Sequence, residues 1–249
     1  MTSRERVTCA INHRQPDRIP IDLGGLPQSG ISASTYHKVK QLLGIYTPTR
    51  ITDLIDMLAE VEQPVRERLG VDVVRVLRPQ TNPGIGYRRD NWKPWTLFDG
   101  TPVEVPGEFN PALESDGGYA MMRDGSPVAR MLKDGSYFNV LAKAPGAAHV
   151  DLDKFEPRAI ENEDLEFMQA QAEWLHSNTD YALVCSSGPP QPLLTGMGRG
   201  DFAGWCMTLS TEPEYATALL EKTVEVWIWQ FEARGRGPWR QGADLASGR

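Results

Sequence analysis

The stretch INHRQPDRIPIDLGG, residues 11–25, decides the fold that we predict for this chain. A short helix capped by Ser3 is expected just before it, over Ser3–His13. Apolar residues then alternate with other types over Arg18–Leu23, which predicts a strand. The strand runs into Gly24-Gly25, a pair that permits backbone torsions and close approaches that other residues resist. We therefore expect the first strand of an α/β barrel, with a site-facing loop starting at Gly24.

Helical and strand patterns alternate along the rest of the chain, which predicts an α/β fold. An apolar stripe after Thr52 predicts a helix that runs to Leu69, interrupted at Pro64. Val71–Leu77 (VDVVRVL) is rich in β-branched residues and predicts a second core strand. Tyr181–Cys185 predicts a third. Three core strands are only part of a (β/α)8 TIM barrel, which needs eight.

Residues 85–150 differ in character from the segments on either side. Asp-Gly pairs between short alternating segments are the strongest local signal for β-hairpins. We expect hairpins in TLFDGTPVEV (residues 96–105) and YAMMRDGSPVARM (residues 119–131). They form an antiparallel insertion between barrel strands two and three, not a separate domain. The predicted domain therefore covers residues 1–233.

Residues 234–249, RGRGPWRQGADLASGR, lack periodicity and are rich in glycine and arginine. A fourth strand should start near here in a parallel α/β pattern. Two interpretations stay open: an irregular tail, or an out-of-frame end of a truncated barrel.

Composition excludes several classes of protein. The net charge of −7 argues against a general nucleic-acid surface. No apolar run reaches the roughly 20 residues that a membrane span requires, and no signal peptide is visible. Cys9, Cys185 and Cys206 are odd in number and widely spaced, which suits the reducing cytoplasm. The sequence contains no CxxC or His-x-Cys pair that would indicate a zinc site. The oligomeric state is not predicted.

The ligand site of an α/β barrel lies on the loops after the strands. Gly24 and Gly25 are therefore expected to approach a ligand closely. Asp22 lies within the first predicted strand and is the candidate catalytic residue. If it points into the barrel, it is a partly buried carboxylate with a raised pKa, suited to proton transfer. The alternative is a carboxylate bonded to neighbouring backbone or to an arginine.

Arginines near strand ends are candidates for gripping an anionic group. Arg75 and Arg78 lie in and after the second predicted strand, where a bidentate guanidinium could hold a carboxylate or phosphate. The alternative is a salt bridge to a helix. The loop after the third strand supplies further candidates for substrate binding: Ser186, Ser187, Gln191 and Arg199.

Four stretches resemble the uroporphyrinogen decarboxylase superfamily, and more narrowly its methyltransferase-like branch, which includes methylcobamide:coenzyme M methyltransferases. They are TSRERV (2–7), NHRQPDRIPIDLGG (12–25), PTRITDLIDMLAEVEQPVRERLGVDVVRV (48–76) and DGGYAMMRDGSPVARM (116–131). The resemblance covers residues 2–232. It implies a (β/α)8 barrel with its substrate at the carboxyl ends of the strands.

The resemblance implies a corrinoid-dependent methyltransferase that moves a methyl group to a thiol or similar acceptor. Zinc and a corrinoid are the implied cofactors, and a small molecule or a corrinoid protein is the implied partner. Two alternatives stay open. One is a uroporphyrinogen decarboxylase of tetrapyrrole biosynthesis, and the other is a non-catalytic module that binds a corrinoid or tetrapyrrole.

The chain departs from the family pattern at two places. Decarboxylases carry an Arg-Gln-Ala-Gly-Arg motif where this chain reads Gly24-Gly25-Leu26-Pro27, so both arginines are absent. The zinc ligands of the methyltransferases, a His-x-Cys pair and a later cysteine, have no counterpart here. We therefore expect this chain as written to be inactive in methyl transfer and to hold no stoichiometric zinc.

Overall fold

A computed structural model describes residues 1–79, 89–141, 151–152, 162–185 and 202–235. It shows a mixed α/β fold with helices and small sheets, and no closed barrel is formed by these residues. The chain divides into two compact units. One unit holds the described residues of 1–140 and 163–185. The other holds those of 141–162 and 202–235.

The first unit begins with helices and short strands. The helices are α1 (Ser3–Ile11), α2 (Ala33–Leu42), α3 (Gln63–Leu69) and α4 (Asn162–Asn178, whose first residue is assigned to the other unit). The short strands are β1 (Ile51–Asp53), β2 (Leu58–Ala59), β3 (Val73–Arg75) and β10 (Ala182–Val184). The remaining strands belong to the hairpin region: β4 (Trp92–Thr96), β5 (Pro102–Pro106), β6 (Ala112–Leu113), β7 (Tyr119–Arg123), β8 (Ser126–Met131) and β9 (Asn139–Val140).

Strands β3 and β10 are parallel neighbours, with Ala182 opposite Val73 and Val184 opposite Arg75. The predicted second and third core strands are therefore confirmed, although each is shorter than expected. Their carboxyl ends meet at one edge, because parallel strands run in the same direction. More than one hundred residues separate them along the chain, including the whole hairpin region.

Both predicted hairpins are confirmed. Strands β4 and β5 pair antiparallel around Asp99-Gly100, and β7 and β8 pair antiparallel around Asp124-Gly125. Asp124 and Gly125 have φ of 50° and 75°, the left-handed pair that suits a tight two-residue hairpin turn. Strands β6–β9 form a four-stranded antiparallel sheet.

One apolar cluster joins the hairpin region to the first helices and strands. Its buried members include Tyr36 of α2, Ile51 of β1, Val105 of β5 and Met131 of β8. Residues from separate sequence segments exclude water together, and burial of apolar area is the main favourable term in folding. The hairpins therefore share a core with the rest of their unit.

The predicted first strand is wrong, because Arg18–Leu23 forms no assigned strand. The segment makes one backbone hydrogen bond to the start of the β3 region, from the Asp72 amide to the Ile21 carbonyl at 2.8 Å. Pro20 has no amide hydrogen to donate. The Ile21 amide donates to the Asp72 carboxylate at 2.9 Å instead of to a strand. These two features prevent a ladder, and Ile19 is 84% exposed.

The predicted helix from Thr52 to Leu69 is also wrong in its first half. Thr52 lies within β1, and an antiparallel turn to β2 follows. The Asp53 carboxylate accepts hydrogen bonds from the amides of Ile55 and Asp56, both at 3.0 Å, and Met57 has φ 50°. This side-chain-stabilised turn replaces the helical torsions. The expected second helix does form as α3, with Pro64 in its first turn.

The cap of the first helix also differs from the prediction. Helix α1 is capped by Thr2 instead of Ser3, and the Glu5 carboxylate accepts from the Thr2 amide at 2.8 Å in a capping box. Ser3 has another role, because its hydroxyl donates to Asp72 at 2.8 Å.

The second unit contains two helices, α5 (Phe202–Thr211) and α6 (Pro213–Gly235). Trp205, Ala216 and Leu219 form its buried cluster. Among the described residues, no helix combines the length and apolar character needed to cross a membrane.

Candidate ligand site at the end of the parallel strands

The loop after residue 23 is closely packed against the protein itself. Gly24 has φ 81°, and a Cβ added there would lie 2.6 Å from Val61 Cγ2. A Cβ on Gly25 would lie 2.4 Å from Asp22 Oδ1 and 2.9 Å from Val73 Cγ1. Both positions therefore require glycine, as the sequence indicated. The groups that approach them are side chains of this chain.

Asp22 holds this loop in shape. Its Oδ1 accepts the Gly25 amide at 2.9 Å, and its Oδ2 accepts the Ser29 hydroxyl at 2.8 Å. The residue is exposed, so of the two arrangements left open by the sequence the partly buried carboxylate is not found. The reason is that the predicted strand does not form, and nothing directs Asp22 toward an interior. The structure instead has the alternative arrangement, a carboxylate bonded to neighbouring backbone.

Three arginines come together at the carboxyl end of β3. Arg75 is the last residue of the strand and Arg78 follows it, while Arg89 arrives from the hairpin region. Arg89 donates from Nη1 to the Arg78 carbonyl and from Nη2 to the Thr52 carbonyl, both at 3.0 Å. It thus connects the segment after β3 to β1. The sequence carried no signal for Arg89, since it lies within the predicted insertion over residues 85–150 but outside both predicted hairpins.

The electrostatics of these arginines are unusual. Burial lowers the pKa of Arg89 to about 10, and the positive charge of Arg75 also lowers it, whereas the carboxylates of Glu60 and Asp53 act in the opposite direction. Burial likewise lowers the pKa of Arg75, against the attraction of Asp53. The Arg89 Nε is buried and has no hydrogen-bond acceptor among the described residues. Arg78 adds a third positive charge, so three guanidinium groups stand against the carboxylates of Glu60 and Asp53 and the cluster favours an anion.

A cleft of about 280 Å³ opens beside this cluster. Gly24, Thr52 and Arg75 lie on its wall, so the glycine loop, β1 and β3 all contribute. Gln171 of α4 also lines it and accepts the Leu77 amide through Oε1 at 2.6 Å. The remaining polar lining residues are Glu60 and Arg66. Neither had been selected from the sequence.

The structure brings together only some of the predicted site residues. Gly24 and Arg75 line the cleft, Gly25 is buried beneath the loop, and Arg78 belongs to the arginine cluster. Four further candidates lie outside the described residues: Ser186, Ser187, Gln191 and Arg199. Of the predicted loop over Arg78–Gly86, only residues 78–79 are described.

The described residues do not supply the ligand set of a zinc site. In the described ranges, no group of three histidine, cysteine, aspartate or glutamate side chains could hold a metal ion. The charged residues that line the cleft are Arg66, Arg75 and Glu60, and the two arginines repel a divalent cation. Zinc and the corrinoid stay expectations of the resemblance.

Comparisons of the chain with models of known protein families, with curated proteins and with solved structures found no match.

Proposed function

We propose that this chain binds an anionic small molecule at the carboxyl end of β3, as part of a barrel enzyme of the uroporphyrinogen decarboxylase superfamily. The observation that carries the proposal is the meeting of Arg75, Arg78 and Arg89 beside the cleft. In open α/β folds, ligands bind outside the carboxyl ends of parallel strands. The parallel pairing of β3 and β10 places the arginines at such an end.

The activity we propose first is that of the methyltransferase-like branch, transfer of a methyl group from a corrinoid to a thiol or similar acceptor. Its support is the sequence resemblance together with the glycine loop and the parallel strands. In this proposal the described residues contribute the part of the site that holds an anionic group. Guanidinium groups suit that task, because they remain charged and donate in a planar fork.

The second candidate is decarboxylation of an anionic ring substrate, and the arginine cluster favours it specifically. A tetrapyrrole with several carboxylates requires several cations facing one pocket. The sequence offered Arg75 and Arg78 in this region, and the structure adds Arg89 beside them; of the three, Arg75 lines the cleft. The two candidates differ in what binds: a corrinoid for the first, and a polycarboxylate tetrapyrrole for the second.

The test is a pair of titrations of the purified chain, one with methylcobalamin and one with uroporphyrin I, followed by visible absorbance and porphyrin fluorescence. Saturable methylcobalamin binding supports the methyltransferase proposal. Saturable uroporphyrin binding that Arg75→Gln weakens about tenfold supports the decarboxylase, since a hydrogen bond to a charged group contributes about 1.5–3 kcal/mol. Arg123→Gln, at an exposed hairpin position, is the matched control. Binding of neither ligand would overturn both candidates.

A further inference from the structure

The cleft has two chemically different sides. Leu23, Val61, Val73 and Leu175 supply apolar surface, whereas Arg66, Arg75 and Glu60 supply charge. Small-molecule sites commonly combine an apolar wall with a few convergent polar groups. The volume of about 280 Å³ is just below the range of about 300–1,000 Å³ that is typical of pockets for drug-sized ligands. The cleft therefore fits one small molecule and cannot enclose a whole tetrapyrrole.

Arg66 has an unsatisfied donor at this cleft. Its Nη1 donates to the Val61 carbonyl, and its guanidinium lies 5.3 Å from the centre of the Tyr181 ring. The Nε is buried and, within the described part of the chain, has no acceptor. Because the Nε has almost no accessible surface, a ligand would contact Arg66 through the part of its side chain that lines the cleft.

Trp174 supplies an aromatic surface at the same cleft. It lines the cleft and is nevertheless 61% exposed, whereas Met168 and Ala172 of the same helix are buried. An indole ring offers a large flat face. Offset or edge-to-face pairing with another ring adds to the binding free energy beyond what burial of the apolar area contributes. An exposed tryptophan at a cleft thus suits a planar ring.

The charge of the lining sets the charge of the ligand. Two arginines, Arg66 and Arg75, face one carboxylate, Glu60, so the lining carries one net positive charge. A monoanion would balance it. A carboxylate accepts well from guanidinium groups because their geometries match.

We infer that the cleft binds a small aromatic monocarboxylate, with its ring against Trp174 and its carboxylate on Arg66 and Arg75. This inference deepens the proposed function by naming the kind of ligand, and it rests on that proposal for the statement that the cleft is a ligand site. The corrinoid or tetrapyrrole of the proposed function would lie outside the cleft.

The experiment is isothermal titration of the full chain with 2-naphthoate. Two analogues separate the contributions: cyclohexanecarboxylate lacks the aromatic ring, and 2-naphthamide lacks the charge. We expect saturable binding of 2-naphthoate and at least about tenfold weaker binding of 2-naphthamide, because the charged hydrogen bonds are lost. Cyclohexanecarboxylate should bind about fivefold more weakly, because ring stacking is lost.

Four variants locate the binding. Arg66→Gln should weaken 2-naphthoate binding about tenfold, and Trp174→Ala about fivefold. The matched controls are Arg68→Gln on the same helix as Arg66, and Phe167→Ala on the same helix as Trp174. Neither control residue lines the cleft. Both control variants should bind within about twofold of the original chain, because they leave every proposed ligand contact intact.

Several results would overturn the inference: no saturable binding of 2-naphthoate, equal binding of all three compounds, or equal losses in the cleft and control variants. If Arg66→Gln fails to fold, the variant Trp174→Ala, at an exposed position, still tests whether 2-naphthoate binds in the cleft. Binding of 2-naphthoate without methylcobalamin or uroporphyrin binding overturns the proposed function and leaves this inference standing. Binding of methylcobalamin or uroporphyrin without binding of 2-naphthoate overturns this inference alone.

Discussion

At the residue scale, the strand pattern hid one heavily bonded side chain, that of Asp72. Asp72 follows Val71 at the start of the β-branched run, and its side chain is fully buried. It accepts from Arg6 Nη1 and Arg18 Nη1, both at 2.6 Å, and from Ser3 and the Ile21 amide. A buried carboxylate is tolerated because these donors satisfy it. Asp72 therefore ties α1 and residues 18–21 to the start of β3.

We predict that Asp72→Asn strongly destabilises the chain. The substitution removes a negative charge and leaves the Arg6 and Arg18 guanidinium groups facing an amide. Breaking a buried ion pair by removing one partner costs about 3–5 kcal/mol. Urea unfolding followed by circular dichroism measures the change. Asp116→Asn is the control, at an exposed turn. A loss below about 1 kcal/mol for Asp72→Asn would show that this network contributes little.

At the scale of elements, the loop over residues 24–30 is shaped by two constraints that act together. Gly24 needs a left-handed backbone, and its missing side chain leaves room for Val61. Its amide also donates to the Ser29 carbonyl at 2.8 Å, which closes the loop. A residue with a side chain at this position would be strained by the left-handed backbone and would also clash with Val61.

We predict that Gly24→Ala destabilises the chain more than Gly44→Ala. Both glycines have positive φ, 81° and 71°, so each alanine costs about 1–2 kcal/mol in backbone strain. Only at Gly24 would the new Cβ meet a neighbour, since nothing lies within 4 Å of a Cβ on Gly44. Thermal melts of the two variants compare the costs. Val61→Ala removes buried methyl groups and should therefore destabilise the Gly24→Ala variant less than it destabilises the original chain. Equal losses in the two backgrounds would contradict the steric explanation.

At the scale of the whole molecule, the stability of the fold at low pH should depend on the ionisation of its carboxyl groups. Hydrogen bonds from Arg6 hold the pKa of Asp17 well below its ordinary value. For Asp72, burial raises the pKa, but the hydrogen bonds from Arg18, Ile21, Ser3 and Arg6 outweigh it and lower the pKa. A lowered folded-state pKa means that the unfolded chain binds protons more readily. These groups therefore stabilise the fold only while they are ionised.

We predict that the melting temperature falls as the pH is lowered below about 4, the ordinary pKa of aspartate, and continues to fall toward the lowered folded-state values. Circular dichroism melts between pH 6 and pH 2 measure this. The Asp72→Asn variant should show a shallower fall, because it lacks one of the titrating groups. A melting temperature that is constant from pH 5 to pH 2.5, or an unchanged slope in the variant, would contradict the assignment.

Several local features of this protein could be predicted from neighbouring residues alone. Asp-Gly pairs predicted both hairpins, since the left-handed torsions at Asp124 and Gly125 are a property of the turn itself. The β-branched run predicted β3, and Gly24 was expected where a close approach occurs. Such features depend on neighbouring residues, and they can therefore be predicted without the rest of the fold.

Contacts between distant segments settle which segment forms a strand and which side chains share a site. The alternating residues 18–23 form no strand, because Pro20 and the distant Asp72 remove the hydrogen bonds that a ladder needs. Arg66 of α3, Trp174 of α4 and Arg89, which precedes β4, reach the cleft or the arginine cluster from three separate segments. Their roles come from contacts between residues far apart in the chain, and periodicity along the sequence carries no information about such contacts.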